Sequence, residues 1–173
     1  MLDFNVEDII LDEQRSVPAG STSWGPRNDL LLKPDVSAPG KNIYSTLNVV
    51  GNDPMKDSRY GYMSGTSMAT PVVSASTVLI RPRLKELVNA KALKEMGIDL
   101  VSLTKIMLQN TASPMFDETT ENDGKYLFAS PRQQGAGLIN VLKATKNNVV
   151  VSSKALGSDG KTNSYGSVSL REI

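Results

Sequence analysis

The arrangement of apolar and polar residues predicts different elements along the chain. Between Asn42 and Leu47, β-branched and aromatic residues predict a strand. From Met68 to Ile80 the residues are apolar or small on every side, so the predicted helix has no face for water and should be buried. Pro82 is expected to end that run. The apolar residues Leu30–Leu32, set between turn residues, predict a short buried extended segment.

The second half of the chain contains three more predicted elements and one boundary. Residues 84–96 place apolar residues on one side and lysines opposite, which predicts a surface helix capped by Gly97. Helical spacing predicts another helix over Leu100–Thr111 and a short one over Leu138–Ala144. After Asn147, β-branched and polar residues alternate around a Gly-Ser-Asp-Gly turn, so we expect a β-hairpin and a domain boundary.

Composition narrows the class of protein without deciding it. The 173 residues are 39% hydrophobic and 21% charged, enough for one domain with a core or a large piece of a bigger one. A net charge of +1 gives no electrostatic reason for nucleic acid or membrane partners. No apolar run is as long as a membrane span, and the first twenty residues lack the apolar stretch of a signal peptide. The chain has no cysteine, which fits a cytosolic protein and a disulfide-free exported one equally.

Candidate chemistry centres on Ser67, which lies between a glycine turn and the predicted buried helix. A serine hydroxyl becomes a nucleophile when a base takes its proton and donors stabilise the oxyanion. At a helix start, the backbone N–H of Ser67 can be one such donor. The hydroxyl of Thr66 is a candidate second donor, or simply part of the turn. Serine is also a favoured helix cap, and spacing alone leaves capping and nucleophile both open.

Four motifs in order favour the nucleophile. They are Ser23-Trp24-Gly25-Pro26, the octapeptide KPDVSAPG of residues 33–40, the heptapeptide GTSMATP of residues 65–71, and the hexapeptide GAGLIN of residues 135–140. Together they resemble the segments around the nucleophile of subtilisin-like serine proteases, the subtilases. Their wording is most similar to streptococcal and lactococcal cell-envelope proteinases, the group that contains C5a peptidases, lactocepins and chemokine-cleaving proteinases. The resemblance runs over residues 21–144, about three quarters of the chain.

The resemblance implies a fold and a division into domains. It implies an α/β class: the C-terminal part of a doubly wound parallel-sheet domain, with the Ser67 helix buried against the sheet. We expect residues 1–18 to be a lead-in, such as the exit from an inserted protease-associated domain. Residues 19–147 would be the catalytic part. Residues 148–173 would begin a β-sandwich, fibronectin-like domain.

The resemblance also implies site residues. Ser67 would be nucleophile and backbone oxyanion donor, with Thr66 as a secondary donor. Ser64 and Met68 would lie on the leaving-group side of the substrate. No cofactor and no metal ligand is implied in this chain, and any structural calcium would be bound elsewhere in the full-length protein. The substrate would be a polypeptide outside the cell, and the enzyme a secreted or wall-anchored protein of a Gram-positive bacterium.

One departure from the family pattern decides what the chain can do alone. Subtilases carry their triad in the order Asp, His, Ser, and this chain has no histidine. We expect the isolated chain to be inactive, with Asp, His and an oxyanion Asn supplied by an upstream part of the same protease. The alternative is a non-catalytic surface-binding or antigenic fragment. An isolated half-domain would leave an apolar helix uncovered, so we expect it to be oligomeric or loosely packed.

Two other features carry no site. The acidic residues near position 120 lack the spacing of a calcium-binding loop and predict a solvated loop; they are Asp117, Glu118, Glu121 and Asp123. The glycine pair Gly135 and Gly137 lacks the context of a dinucleotide-binding fingerprint.

Overall fold

A computed structural model describes residues 16–47, 60–120, 125–156 and 162–166. Within these ranges the chain is a mixed α/β structure of short strands and helices. The strands are β1 (Ile43–Thr46), β2 (Tyr60–Met63), β3 (Ser153–Leu156) and β4 (Thr162–Tyr165). The helices are α1 (Thr66–Leu87), α2 (Ala90–Met96), α3 (Leu100–Thr111), α4 (Pro131–Gln134) and α5 (Val141–Lys146), and a 3₁₀ turn covers Glu118–Thr120.

Helix α1 is longer than the sequence pattern predicts. It continues through Pro82, although proline lacks the N–H that would bond to the carbonyl one turn earlier. Ile80 and Leu84 are both buried on one face and hold the helix on either side of Pro82. The predicted helix over residues 84–96 is therefore wrong as one unit, because α1 ends at Leu87 and α2 begins at Ala90. Gly97 caps α2 in the left-handed conformation, as expected.

The core is made by three helices. Its buried side chains come from α1, α3 and α5, and they are Ile80, Leu84, Leu103, Met107, Leu108 and Ala144. Helix α3 has the predicted bounds and carries half of this cluster. Its N-cap Asp99 accepts from the Ser102 amide, satisfying one of the donors that a helix start leaves open.

The prediction that α1 is buried all round is wrong for the part of the chain that the structure describes. Val78 and Leu79 are 66% and 64% exposed, whereas Ile80 next to them is fully buried. In the described part of the chain one stripe of the helix meets α3 and α5, because two neighbouring helices cannot surround a third. The opposite face is apolar and open to solvent.

Strands pair only in antiparallel hairpins among the described residues. β1 pairs with β2 from Ile43 opposite Met63 to Thr46 opposite Tyr60, and β3 pairs with β4. The expected hairpin after Asn147 is thus present, although its turn lies outside the described residues. The expected doubly wound parallel sheet is not present among the residues that the structure describes, where parallel pairing is limited to one bridge, between Ser37 and Leu138.

Two smaller expectations also fail. Leu30 is 53% exposed with a left-handed φ of 60°, and Leu31 and Leu32 are only half-buried, so the run is not the buried extended segment that was expected. The predicted helix over residues 138–144 begins three residues later, at Val141, with Asn140 as its N-cap. Leu138 is instead held in extended backbone between Ser37 and Ser113, with which it makes a parallel and an antiparallel bridge. Pairing on both sides outweighs its helical spacing.

The open face of α1 predicts self-association of the isolated chain. Exposed valine and leucine side chains side by side are partners for other apolar surfaces. We expect Val78→Gln together with Leu79→Gln to shift the isolated chain toward monomer in sedimentation velocity. The matched control is Val101→Gln on α3, which is equally exposed. A parent chain that stays monomeric at every concentration tested would contradict the prediction.

Candidate active site

Ser67 lies at the second position of helix α1 and is exposed. Gly65 is the N-cap, with φ at 149° and no side-chain bond to the helix start. Ser67 is therefore not the cap, and the capping interpretation is wrong. The amides of Met68 and Ala69 donate to the carbonyl of Gly65 at 3.0 and 3.3 Å. The amides of Thr66 and Ser67 come before these, where helix geometry supplies no intrahelical acceptor.

The other hydroxyls of α1 show why the position of Ser67 matters. Those of Thr70, Ser74 and Ser76 donate to the carbonyl four residues earlier at 2.7–3.2 Å. Such bonds hide a hydroxyl against its own helix. For Ser67 the residue four positions earlier is Met63, which belongs to β2. The helix start thus leaves the Ser67 hydroxyl on the surface, and no acidic residue in the first turn opposes the positive end of the helix dipole.

The turn before Ser67 is fastened to the end of the KPDVSAPG segment. Gly65 N–H donates to the carbonyl of Gly40 at 2.7 Å. A Cβ on Gly40 would lie 2.7 Å from the Gly65 oxygen and 3.1 Å from Ala69 Cβ, so the backbones approach as only glycine allows. The Gly40 end of KPDVSAPG is therefore bonded to the glycine turn that presents Ser67, and it sets the position of that turn.

The remaining predicted residues lie around that turn. Ser64 Oγ accepts from the Asn42 amide at 2.9 Å. Met68 is half-buried, with its sulfur 4.0 Å from where a Gly65 Cβ would be. Thr66 is exposed, and its carbonyl accepts from the Thr70 hydroxyl. The structure thus brings Ser64, Thr66, Ser67 and Met68 together at one helix end.

The GAGLIN segment is joined to KPDVSAPG through the main chain. Ser37 N–H donates to Gly137 O at 2.8 Å, and Ile139 N–H donates to Ser37 O at 2.9 Å. Gly137 has φ at 115°, and a Cβ there would lie 2.3 Å from Ser113 O. The glycine pair therefore serves close backbone packing, and no phosphate is needed to explain it.

The SWGP segment is joined to the same assembly. Gly25 N–H donates to Arg132 O at 2.7 Å, and Arg132 Nε donates back to Gly25 O at 2.8 Å. Three of the motifs are thus linked to one another by hydrogen bonds, and SWGP is bonded to Arg132, three residues before GAGLIN. Together they form one framework that ends at Ser67.

Comparison of the sequence with known proteins identifies the family to which these four motifs belong. The sequence model of the subtilase family matches residues 11–166. The chain belongs to the subtilase family. It is 41% identical over 128 residues to the PI-type and PII-type proteinases of Lactococcus lactis subsp. cremoris, which covers 71% of this chain and 6% of each relative. It is 32% identical over 133 residues to C5a peptidase of Streptococcus pyogenes, which covers 77% of this chain and 10% of that relative.

The subtilase segment spans only about a tenth or less of the length of these curated relatives. Their names therefore describe much larger proteins. The family match continues beyond Asn147 as far as residue 166 and so includes the β3–β4 hairpin.

Asn42, Arg132 and Lys105 are residues that the sequence patterns missed. Asn42 adopts φ at 54°, which asparagine tolerates better than most residues, and this is the only signal that the sequence offered. Lys105 lies on α3 and reaches across to Asp35 at 2.9 Å. No local pattern reveals a pair separated by seventy residues.

Asp35 is the electrostatic centre of the framework. Burial acts to raise its pKa, but hydrogen bonds from Lys33 and Lys105 and their positive charges outweigh burial and hold the pKa below the usual value. The carboxylate is 29% exposed, and its own carbonyl accepts from the Ala136 amide at 3.1 Å. Asp35 therefore joins KPDVSAPG to α3 through its side chain and to GAGLIN through its backbone.

The acidic loop has a structural use within its described part. Asp117 accepts from the amide and hydroxyl of Thr119 at 2.9 and 2.6 Å, and these bonds lower the pKa of Asp117. Glu121 and Asp123 lie outside the described residues. Over the described ranges, no three His, Cys, Asp or Glu side chains are grouped to hold a metal ion. Nor does any helix described here combine the length and apolar character needed to cross a membrane.

The lowered pKa of Asp35 predicts a pH dependence of stability. Its contribution is present above the unfolded pKa, near 4, and is lost as pH falls through the lower folded pKa. We expect Asp35→Asn to cost about 1–2 kcal/mol of unfolding free energy at pH 7, with the difference from the parent shrinking in acid. Urea unfolding by circular dichroism at several pH values measures it.

Asp29→Asn is the matched control, because Asp29 pairs with Arg27 on the surface. We expect this variant to differ little from the parent at any pH. A parent-to-Asp35→Asn difference that stays constant down to pH 3 would contradict the assignment.

Proposed function

We propose that this segment carries the nucleophile of a subtilisin-like serine endopeptidase. Ser67 Oγ attacks a peptide carbonyl, the amine leaves with a proton, and water then hydrolyses the acyl-enzyme. The observation that supports this most directly is the position of Ser67, exposed at the second residue of α1 within an assembled set of subtilase motifs.

Oxyanion stabilisation follows from the helix start. The Ser67 amide lies at the positive end of α1 and has no intrahelical acceptor. A developing negative charge on the substrate oxygen would accept from this amide. The Thr66 hydroxyl, exposed one residue earlier, would be a second donor.

The general base has to come from other polypeptide, because these 173 residues contain no histidine. An upstream part of the same protease would supply it, with the Asp and the oxyanion Asn. That part would also contribute the parallel sheet that covers the open face of α1 at Val78 and Leu79. Without that upstream part, the isolated segment would cleave nothing. The β3–β4 hairpin would begin a β-sandwich domain.

The substrate class and location follow from the relatives. A polypeptide is the substrate of a peptidase, and the lactococcal and streptococcal relatives are named proteinases and a peptidase. We propose an extracellular, secreted or wall-anchored enzyme of a Gram-positive bacterium. Lack of histidine also fits a second candidate, a non-catalytic segment that binds at the cell surface.

A serine-directed phosphonate probe tests the nucleophile. In the full-length protein we expect labelling at Ser67, and Ser67→Ala should abolish labelling and lower kcat about 10⁶-fold, as in subtilisin. Ser74→Ala on the same helix is the matched control, since its hydroxyl is bonded to Thr70 O. Absence of labelling in the full-length protein would favour the surface-binding candidate.

Oxidation of Met68 tests the leaving-group side of the site. Met68 is half-buried directly after the nucleophile, and a sulfoxide there would add a polar oxygen beside the reacting bond. Mild peroxide should lower turnover of the full-length protein several-fold, and Met68→Leu should resist it. Unchanged turnover when mass spectrometry shows Met68 oxidised would contradict this placement.

A further inference from the structure

The hydroxyl of Ser64 and the backbone amide of Asn42 connect the β1–β2 hairpin to the turn that presents Ser67. Asn42 N–H donates to Ser64 Oγ at 2.9 Å, an ordinary length for this bond. Ser64 Oγ lies 3.4 Å from Asn42 Oδ1, which is long, so the amide bond is the main contact. This pair is the Asn42–Ser64 latch.

The latch depends on an unusual backbone. Asn42 has φ at 54°, in the left-handed region that asparagine enters more readily than most residues. Its amide lies one residue before the β1 ladder, which begins at Ile43 opposite Met63, and donates to the side chain of Ser64, one residue after Met63. A β-branched residue at position 42 would be strained in this region, whereas glycine would not.

A second bond acts one residue further along. Gly65 N–H donates to Gly40 O at 2.7 Å, and Gly40 has no room for a side chain. The turn over residues 40–42 therefore holds Ser64 and Gly65 at two successive points. Helix α1 begins at the next residue, Thr66.

Resting on the proposed function, we propose that Asn42 and Ser64 are positioning residues for the Ser67 nucleophile. The latch fixes the turn, and the turn fixes where the Ser67 hydroxyl and amide point. Misplacing a reacting group by about 1 Å can cost 10²-fold in rate. Ser64 acts through this turn instead of holding the leaving part of the substrate.

The two roles for Ser64 differ in kinetics. A residue that holds the substrate equally in the ground state and the transition state changes KM when it is removed. A residue that aligns the nucleophile changes kcat and leaves KM nearly constant. The latch predicts that Asn42 affects kcat as well, because its amide is bonded to Ser64.

Kinetics of the full-length protein with single substitutions separate these roles. Ser64→Ala removes the acceptor, and Asn42→Val strains the donor. Each should lower kcat about five- to tenfold, the effect of losing one hydrogen bond, with KM within about twofold of the parent. Lys91→Ala, an exposed residue on α2, is the control and should leave both constants unchanged.

Conservative substitutions should rescue the latch. Ser64→Thr keeps a hydroxyl and Asn42→Gly keeps the amide with a permitted φ, so both should retain kcat within about twofold. The double variant Ser64→Ala/Asn42→Val should be no slower than the slower single variant, because both changes break one bond. Additive losses, a KM effect for Ser64→Ala, or failure of Ser64→Thr to rescue would each overturn the proposal.

Failure of the proposed function can be distinguished. If the phosphonate probe never labels the full-length parent, the nucleophile assignment fails, and so does a role in positioning it. The latch as a structure is then decided by amide exchange in the full-length protein. Asn42 should exchange at least about fivefold faster in Ser64→Ala than in the parent or Ser64→Thr; equal exchange would overturn the latch itself.

Discussion

Main-chain pairing at Leu138 is the constraint on which the rest of the described structure depends. Leu138 is bridged to Ser37 on one side and to Ser113 on the other, so three distant segments meet at one residue. The KPDVSAPG segment is held there at its middle and reaches forward to Gly65 through Gly40. Without the pairing at Leu138, the segment that holds the glycine turn before Ser67 would no longer be fixed in position.

The buried core and the ion pair of Asp35 both lie on the side of helix α1 that faces α3 and α5, and they support this main-chain pairing from there. Helices α1, α3 and α5 share a small core, and Lys105 on α3 ties that core to Asp35. The buried side chain of Gln134 accepts from the Met115 amide at 2.6 Å and donates to Ala129, which holds the loop after α3 in place. Solvent reaches the opposite face of α1, where Val78 and Leu79 are exposed. Ser67 is thus built on a helix that is firmly packed along one stripe and open along the other.

Local sequence patterns predict the elements that are stabilised mainly by interactions between residues close in sequence. Helix α3 has the predicted bounds because its apolar spacing, N-cap Asp99 and core contacts all agree. The end of α1 was missed because Ile80 and Leu84, packed on α3 and α5, outweigh the cost of Pro82. Leu138 was expected in a helix because its pairing partners lie 25 and 101 residues away in sequence. Ser67 could be singled out from its motif, but Asn42 and Lys105 act only through contacts that the fold creates.

The close approach of the glycine backbones has a consequence for sequence divergence. Gly25, Gly40 and Gly135 each lie against backbone of another motif, and Gly137 lies against the backbone of Ser113, all within 3 Å of where a Cβ would be. Most of the bonds that join the motifs use N–H and C=O groups, which every residue except proline supplies. Side chains around this framework can therefore drift over evolutionary time while the glycines cannot. A scaffold joined in this way can change the side chains around Ser67 without rebuilding the turn that presents this residue.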